Sequence, residues 1–325
     1  MSGALTDDAC WQGGLAPVPG ANLGLIDAQN GPFTVTLPNV TTNFPFWMRV
    51  PLEDVGKVTL DGRGNTFVMA PRNKDVQGDQ PFRIHSTEVG DHVFNVQGYD
   101  ASNGEALRFE NLLLEAWTTS EPKRTTIDVR QGVMDFATTV VKSSLQLFRN
   151  PGGDELVYRI GPGATNRFNE VTFDANAPVV NRIVVDGGSL EASGAIQFNG
   201  NNATTKKLLV TNGGNVAVQN ILLGNITGGS RWRIDVTDGS TLAVTNTLKQ
   251  CNQAGGRYDI NVGRDSVFSV CKPDGSCLGN IEGSTLNVNL VDGGTMRVTG
   301  DFEFTKGNQL PENGGAFLNA RTGTL

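Results

Sequence analysis

The side chains best suited to acid–base chemistry gather in the first half of the chain. His85, Glu88, Asp91, His92, Asp100, Glu105 and Glu110 fall within three adjacent short segments. Two carboxyl groups at a suitable separation can cleave a glycosidic bond, one donating a proton and the other acting as base or nucleophile. Asp91, His92 and Glu110 are the candidates for such work, provided that the fold lays those segments side by side. The alternative is a solvated polar face with loop charges, the usual fate of such residues. His92 opens the strand-like run HVFNVQG, a position that equally suits a plain corner.

Other residues carry weaker chemical signals. The four cysteines are Cys10, Cys251, Cys271 and Cys277, and the only histidines are His85 and His92. A zinc site usually needs four Cys or His ligands at characteristic spacing. The histidines lie far from the cysteine cluster, so no metal and no cofactor are expected. A disulfide is open to two pairings, Cys251–Cys277 or Cys271–Cys277; reduced, buried thiols are the third possibility. Asp186, Asn212, Asp238 and Asp292 recur at one corner of the repeat. The calcium-binding β-helix repeat needs a nine-residue period rich in glycine, which is absent, so these residues are read as turn formers. Trp232, inside Arg231-Trp232-Arg233, is the candidate ligand-binding residue. It either stacks on a sugar or partner protein, or packs on the outside of the fold.

All of these must be positioned by a chain of 325 residues with 41 glycines, 7% aromatic residues and a net charge of -7. Frequent glycine with β-branched residues fits short strands and tight turns rather than helices. No basic cluster stands out, so nucleic acid is not an expected partner. No apolar run approaches the roughly 18 residues of a membrane helix, so this segment is not expected to insert in a membrane. The opening Met1–Asp8 lacks the basic start and apolar run of a signal peptide.

The decisive pattern begins near residue 156. Segments starting at Leu156, Arg182, Leu208, Ile234, Ile260 and Val288 advance by 26 residues four times and then by 28. Aligned so, apolar residues fall in columns. The first is Val184, Val210, Val236, Val262 and Leu290; the second is Leu190, Val216, Leu242, Phe268 and Met296. A third holds Ala192, Val218, Val244, Val270 and Val298, and a fourth holds Ile196, Leu222, Leu248 and Phe302. Between the first two sit Asp186-Gly187, Asn212-Gly213, Asp238-Gly239 and Asp292-Gly293, with Arg264-Asp265 as the exception. Each segment alternates apolar and polar residues, as a strand with one buried face does. One coil cannot bury that face alone, whereas stacked coils about 4.8 Å apart can. Asx-Gly is also a hairpin signal, but antiparallel sandwiches do not repeat the same residues every 26 positions.

The sequence therefore predicts an all-β, right-handed, single-stranded parallel β-helix. Residues 156–325 form its regular part with 26-residue coils. Residues 57–155 form irregular coils, and residues 1–56, rich in proline, form a first coil and an N-terminal cap over the exposed strand edges. The final Leu318–Leu325 reads as the start of another coil, so the chain is expected to be a piece of a longer protein. Cys251 and Cys277 are one repeat apart, which would suit a disulfide between neighbouring coils.

Gly187-Gly188-Ser189-Leu190 and Gly293-Gly294-Thr295-Met296, with WQGGLAPVPG and PFTVTLP near the start, resemble bacterial surface proteins with autotransporter-type β-strand repeats. VTLDGRGNTFVM and ALRFENLLLEA resemble coils of the wider pectin-lyase-like superfamily. The resemblance implies a secreted, cell-surface location and a stalk or adhesive passenger role. It also raises polysaccharide lyase or hydrolase activity, but the Trp-Ile-Asp-His, Arg-x-Pro-x-x-Arg, Asn-Thr-Asp, Gly-His-Gly and Arg-Ile-Lys phrases of those enzymes are absent. The expected function is a non-catalytic extracellular stalk or adhesin contacting a surface glycan or host protein, monomeric by preference. A carbohydrate-active enzyme and a trimeric phage or viral fibre stem are the alternatives.

Overall fold

The computed structural model describes residues 155–173, 180–200, 205–226, 231–250, 257–271 and 285–299 continuously. Outside these stretches it describes short segments, nearly all strands, between Gly3 and Ala320. The chain forms a parallel β-solenoid. Among the described residues the only helical element is a 3-10 turn at Asp8–Cys10.

Three parallel sheets make up the stem. The eight-stranded sheet stacks Arg124–Val129, Glu155–Ile160, Val180–Asp186, Thr205–Thr211, Arg231–Val236, Arg257–Val262, Thr285–Leu290 and Gly315–Ala320 in chain order. Each strand pairs in parallel with the strand one coil before and one coil after. An 18-stranded sheet receives the chain after each corner, and its strands include Ser189–Gly200, Asn215–Ile226 and Thr241–Gln250. A four-stranded sheet joins Gly3–Ala4, Phe33–Thr36, Lys57–Asp61 and Val93–Gln97. The described strands within residues 1–56 thus belong to the parallel ladders, and Leu5, Val35 and Leu37 are buried in the core. A separate N-terminal cap is not seen among the described residues.

Strand alternation produces the dry interior. In Val180–Asp186 and Thr205–Thr211, every second residue is buried. Parallel pairing without slip places like residues over one another, so Leu190, Val216, Leu242, Phe268 and Met296 form one continuous column. Ala192, Val218, Val244, Val270 and Val298 form the next, as the repeat implied.

Two of the sequence-derived columns are corrected. Val185, not Val184, stands level with Val210, and Val184 faces outward opposite Leu209. Ile221, not Leu222, stands level with Ile196 and Leu248. Both slips come from coils that turn in one residue fewer. Val210 and Val236 precede their corners at Asn212-Gly213 and Asp238-Gly239, where both residues have positive φ; after Val185, only Gly187 does. At the second bend, the register shifts between Val218 and Asn220. Coil length thus varies at bends while the inner columns stay aligned. Phe302 lies outside the described residues.

The corners explain the Asx-Gly-Gly phrase. Asn212 at φ 54° and Gly213 at φ 75° are both left-handed, the region that Asn and Gly enter most readily. Gly214 has a different task, because a Cβ there would lie 2.4 Å from the Val185 carbonyl oxygen. The exception in the repeat keeps the same geometry: Arg264 and Asp265 hold φ of 45° and 58° without glycine.

Two stability outcomes follow. Val236 is fully buried, so Val236→Asp should destabilise the stem severely, by roughly 3–5 kcal/mol, because an unpaired carboxylate would face the apolar column. Asp265→Gly should raise stability, by up to about 1 kcal/mol, by relieving the left-handed strain. Calorimetry on both variants checks them; an undisturbed Val236→Asp protein would show that the column is misplaced.

Candidate functional site

The outer face of the eight-stranded sheet carries the densest polar chemistry among the described residues. Strand alternation turns Arg231, Arg233, Asp235, Arg257, Asp259 and Asn261 away from the core, where stacking makes them neighbours across coils. Asp235 accepts hydrogen bonds from Lys207 Nζ at 2.6 Å, Arg233 Nε at 2.7 Å and Asn261 Nδ2 at 2.6 Å. Asp259 accepts from Arg231 Nε at 2.7 Å, Arg257 Nε at 3.0 Å and Asn287 Nδ2 at 2.8 Å. Asn289 Nδ2 donates to Asn261 Oδ1 at 2.7 Å, and Asn319 follows at the same position of the next strand.

Burial alone would push the Asp235 and Asp259 carboxyls up. The donors around each, together with the charge of Lys207 beside Asp235 and of Arg231 beside Asp259, outweigh it and hold both below the ordinary value. A carboxyl held this way is a poor proton donor near neutrality. These groups tie coil to coil. The corner column behaves alike: Asn212 Nδ2 donates to Asp186 Oδ1 at 2.6 Å, while Thr211 Oγ1 and Arg264 Nη1 each donate to Asp238 at 2.7 Å. Arg159 also pairs with Asp186.

The second feature is a shallow trough of about 400 Å³ on the large sheet, at the bend between the two halves of its strands. Ala217 lies on its floor, with Ser193, Gln219 and Thr245 around it and the Arg167–Glu191 ion pair, at 2.8 Å, at one end. Arg167, Glu191, Ala217, Ala243, Ser269 and Arg297 occupy one outward column, so the trough follows the stem axis. Its small, uncharged middle and amide- and hydroxyl-bearing sides suit an extended polar chain. Glu191 is the one carboxylate among the described lining residues, and Arg167 holds it. Those described residues do not assemble a two-carboxylate hydrolytic pair.

The sequence-derived candidates fare unevenly. Asp91, His92 and Glu110 lie outside the described residues, as do Glu88, Asp100, Glu105 and Cys251. The strand Phe82–Ser86 sets His85 level with Pro51 and Trp117 in the large sheet. Trp232 is corrected: it is 1% exposed and lies inside the stem, its ring edge-on to Phe198 at 5.3 Å between centroids. It turns inward because it alternates with Arg231 and Arg233, and it offers no face to a sugar in solution. The register sets Cys277 level with Lys249, 28 residues away rather than the 26 that aligned it with Cys251; Cys271 stands opposite Thr299 in the adjoining strand. No cluster of three metal-ligating side chains occurs among the described residues, and no helix among them is long and apolar enough to cross a membrane.

Sequence reasoning passed over the asparagine and aspartate ladder and the trough. The signal was present in the polar alternates of the repeat: Asp235, Asn261 and Asn289 share one place in successive segments, as do Ala217, Ala243 and Ser269. No protein family matches the chain, and no curated protein or solved structure matches it either.

The ladder makes stability pH-dependent in a defined direction. A carboxyl whose folded pKa is lowered contributes stability above its unfolded value near 3.9 and loses it as the pH falls through the folded value. The thermal midpoint should hold from neutrality to about pH 5 and then fall with acidification. Asp259→Asn should lower neutral stability by about 1–3 kcal/mol, leaving Arg231 and Arg257 without their charged acceptor, and should flatten the acid-side fall. Thermal scans of both proteins between neutral and strongly acidic pH check this.

Proposed function

We propose that this chain is a non-catalytic, extracellular β-solenoid segment of a bacterial surface protein, acting as a stalk or adhesive passenger. The observation that carries this reading is the use of the outward Asp, Arg and Asn side chains as ties between coils, with carboxyls held in the charged form. Such a surface reinforces a stem, and its described carboxyls Asp235 and Asp259 are not protonated acids poised for catalysis. The resemblance of Gly187-Gly188-Ser189-Leu190 and Gly293-Gly294-Thr295-Met296 to autotransporter-type repeats supports the same role and the cell-surface location. Within this reading the trough over Ala217 is the contact surface, and a surface glycan is the partner it suits, because amides and hydroxyls can bond sugar hydroxyls without displacing charge.

The test pairs cleavage with binding. Incubated with uronic-acid polymers and neutral polysaccharides, the purified chain should release no reducing ends or unsaturated products. On a glycan array it should retain at least one glycan, and Ala217→Arg, which fills the trough, should lose it. Reproducible cleavage would favour a carbohydrate-active enzyme instead. Equilibrium sedimentation should give a monomer; a trimer would point to a fibre stem.

A further inference from the structure

One column inside the stem breaks the apolar rule. Asn181, Lys206, Trp232 and Tyr258 stand level in four successive strands of the eight-stranded sheet. All four point inward and are at most 1% exposed. In the neighbouring strand, Leu286 returns the column to an apolar residue. Next to it, Phe173 stacks on Phe198, and Phe198 meets Trp232 edge-on.

Asn181 is buried with both Oδ1 and Nδ2 lacking any hydrogen-bond partner in the protein, and Trp232 Nε1 is in the same condition two coils on. On the facing sheet, Asn166 Oδ1 accepts from the buried Tyr158 hydroxyl at 2.6 Å, while its Nδ2 has no partner. Buried amides and indole N–H groups are nearly always satisfied, by protein or by ordered water. Asn181 presents a donor and an acceptor together, and Trp232 presents a donor.

We propose that the Asn181–Lys206–Trp232 column lines an internal hydration site, in which ordered water bonds the Asn181 carboxamide and the Trp232 indole N–H inside an otherwise dry stem. Water is the smallest molecule that both donates and accepts, and a buried water typically makes about three such bonds. The site also distinguishes one coil from the next. The surrounding coils carry interchangeable Val, Ile and Leu, so a strand displaced by one circuit would keep its apolar contacts. It would lose its place beside the water, and the polar rung thereby marks a single register, as a buried polar residue does in some coiled coils.

The test has a direct arm and a thermodynamic one. A crystal structure of the full chain at about 2 Å or better should show an ordered solvent atom within about 2.7–3.2 Å of the Asn181 carboxamide. A carboxamide bonded only to protein atoms, or touching apolar atoms alone, overturns the proposal. Asn181→Leu, similar in size and apolar, should lower the thermal midpoint, since it strips a water of its partner. A raised midpoint would mean that the Asn181 amide was bonded to nothing, because exchanging an unsatisfied polar group for an apolar one stabilises. Should Asn181→Leu fail to fold, oxygen-17 relaxation dispersion of the unaltered protein replaces it: long-lived internal water supports the site, and none overturns it.

Discussion

Parallel pairing between successive coils governs everything else in this molecule. Each coil is hydrogen-bonded to the next with its residues level, so every side chain has its counterpart about 4.8 Å away along the axis. Inside, this turns a short apolar pattern into unbroken columns such as Leu190, Val216, Leu242, Phe268 and Met296. Outside, the same rule is a hazard, because identical charges would be stacked at close range and repel. The eight-stranded sheet stacks like charges at Arg182, Lys207 and Arg233 and at Arg231 and Arg257, and offsets them by setting Asp235 and Asp259 among them. Lys207 and Arg233 are followed by Asp259 and Asn287, and Asp235 is followed by Asn261 and Asn289. The asparagines accept and donate in turn, so the ladder continues where a second aspartate would break it.

The sequence revealed the stem because its interior is simple. Where coils differ only in Val, Ile, Leu or Phe, a count of residues finds the columns. It failed by one position at Val184 and at Leu222, where a bend is one residue shorter. Such a change leaves no trace in composition, since the apolar residue beside each is equally apolar. Trp232 misled for a related reason. Flanked by two arginines, it reads as a surface ring, yet strand alternation sends the arginines out and the indole in. The acid–base residues of the first half were never tied to a repeat, and nothing in their spacing fixes which face they share.

The trough was harder to foresee than the ladder. It is made by the absence of bulk at Ala217, and a concavity has no residue signature of its own. It becomes visible once the bend after Val218 and the outward row from Arg167 to Arg297 are placed side by side. Recognition and rigidity then arise from the same regularity. The backbone that aligns the inner columns also presents small and polar groups in a line, with the ion pair Arg167–Glu191 closing one end.

The direction of the backbone hydrogen bonds has a mechanical meaning. They lie along the stem axis, so a pull on the two chain ends acts at the edge of a terminal coil and opens its bonds one after another, peeling that coil from the stack. Because consecutive coils are also joined covalently, a junction that gives way would release a single loop of chain and leave the remaining stack intact. Under strain the molecule would lengthen in discrete steps, each set by one circuit of about two dozen residues.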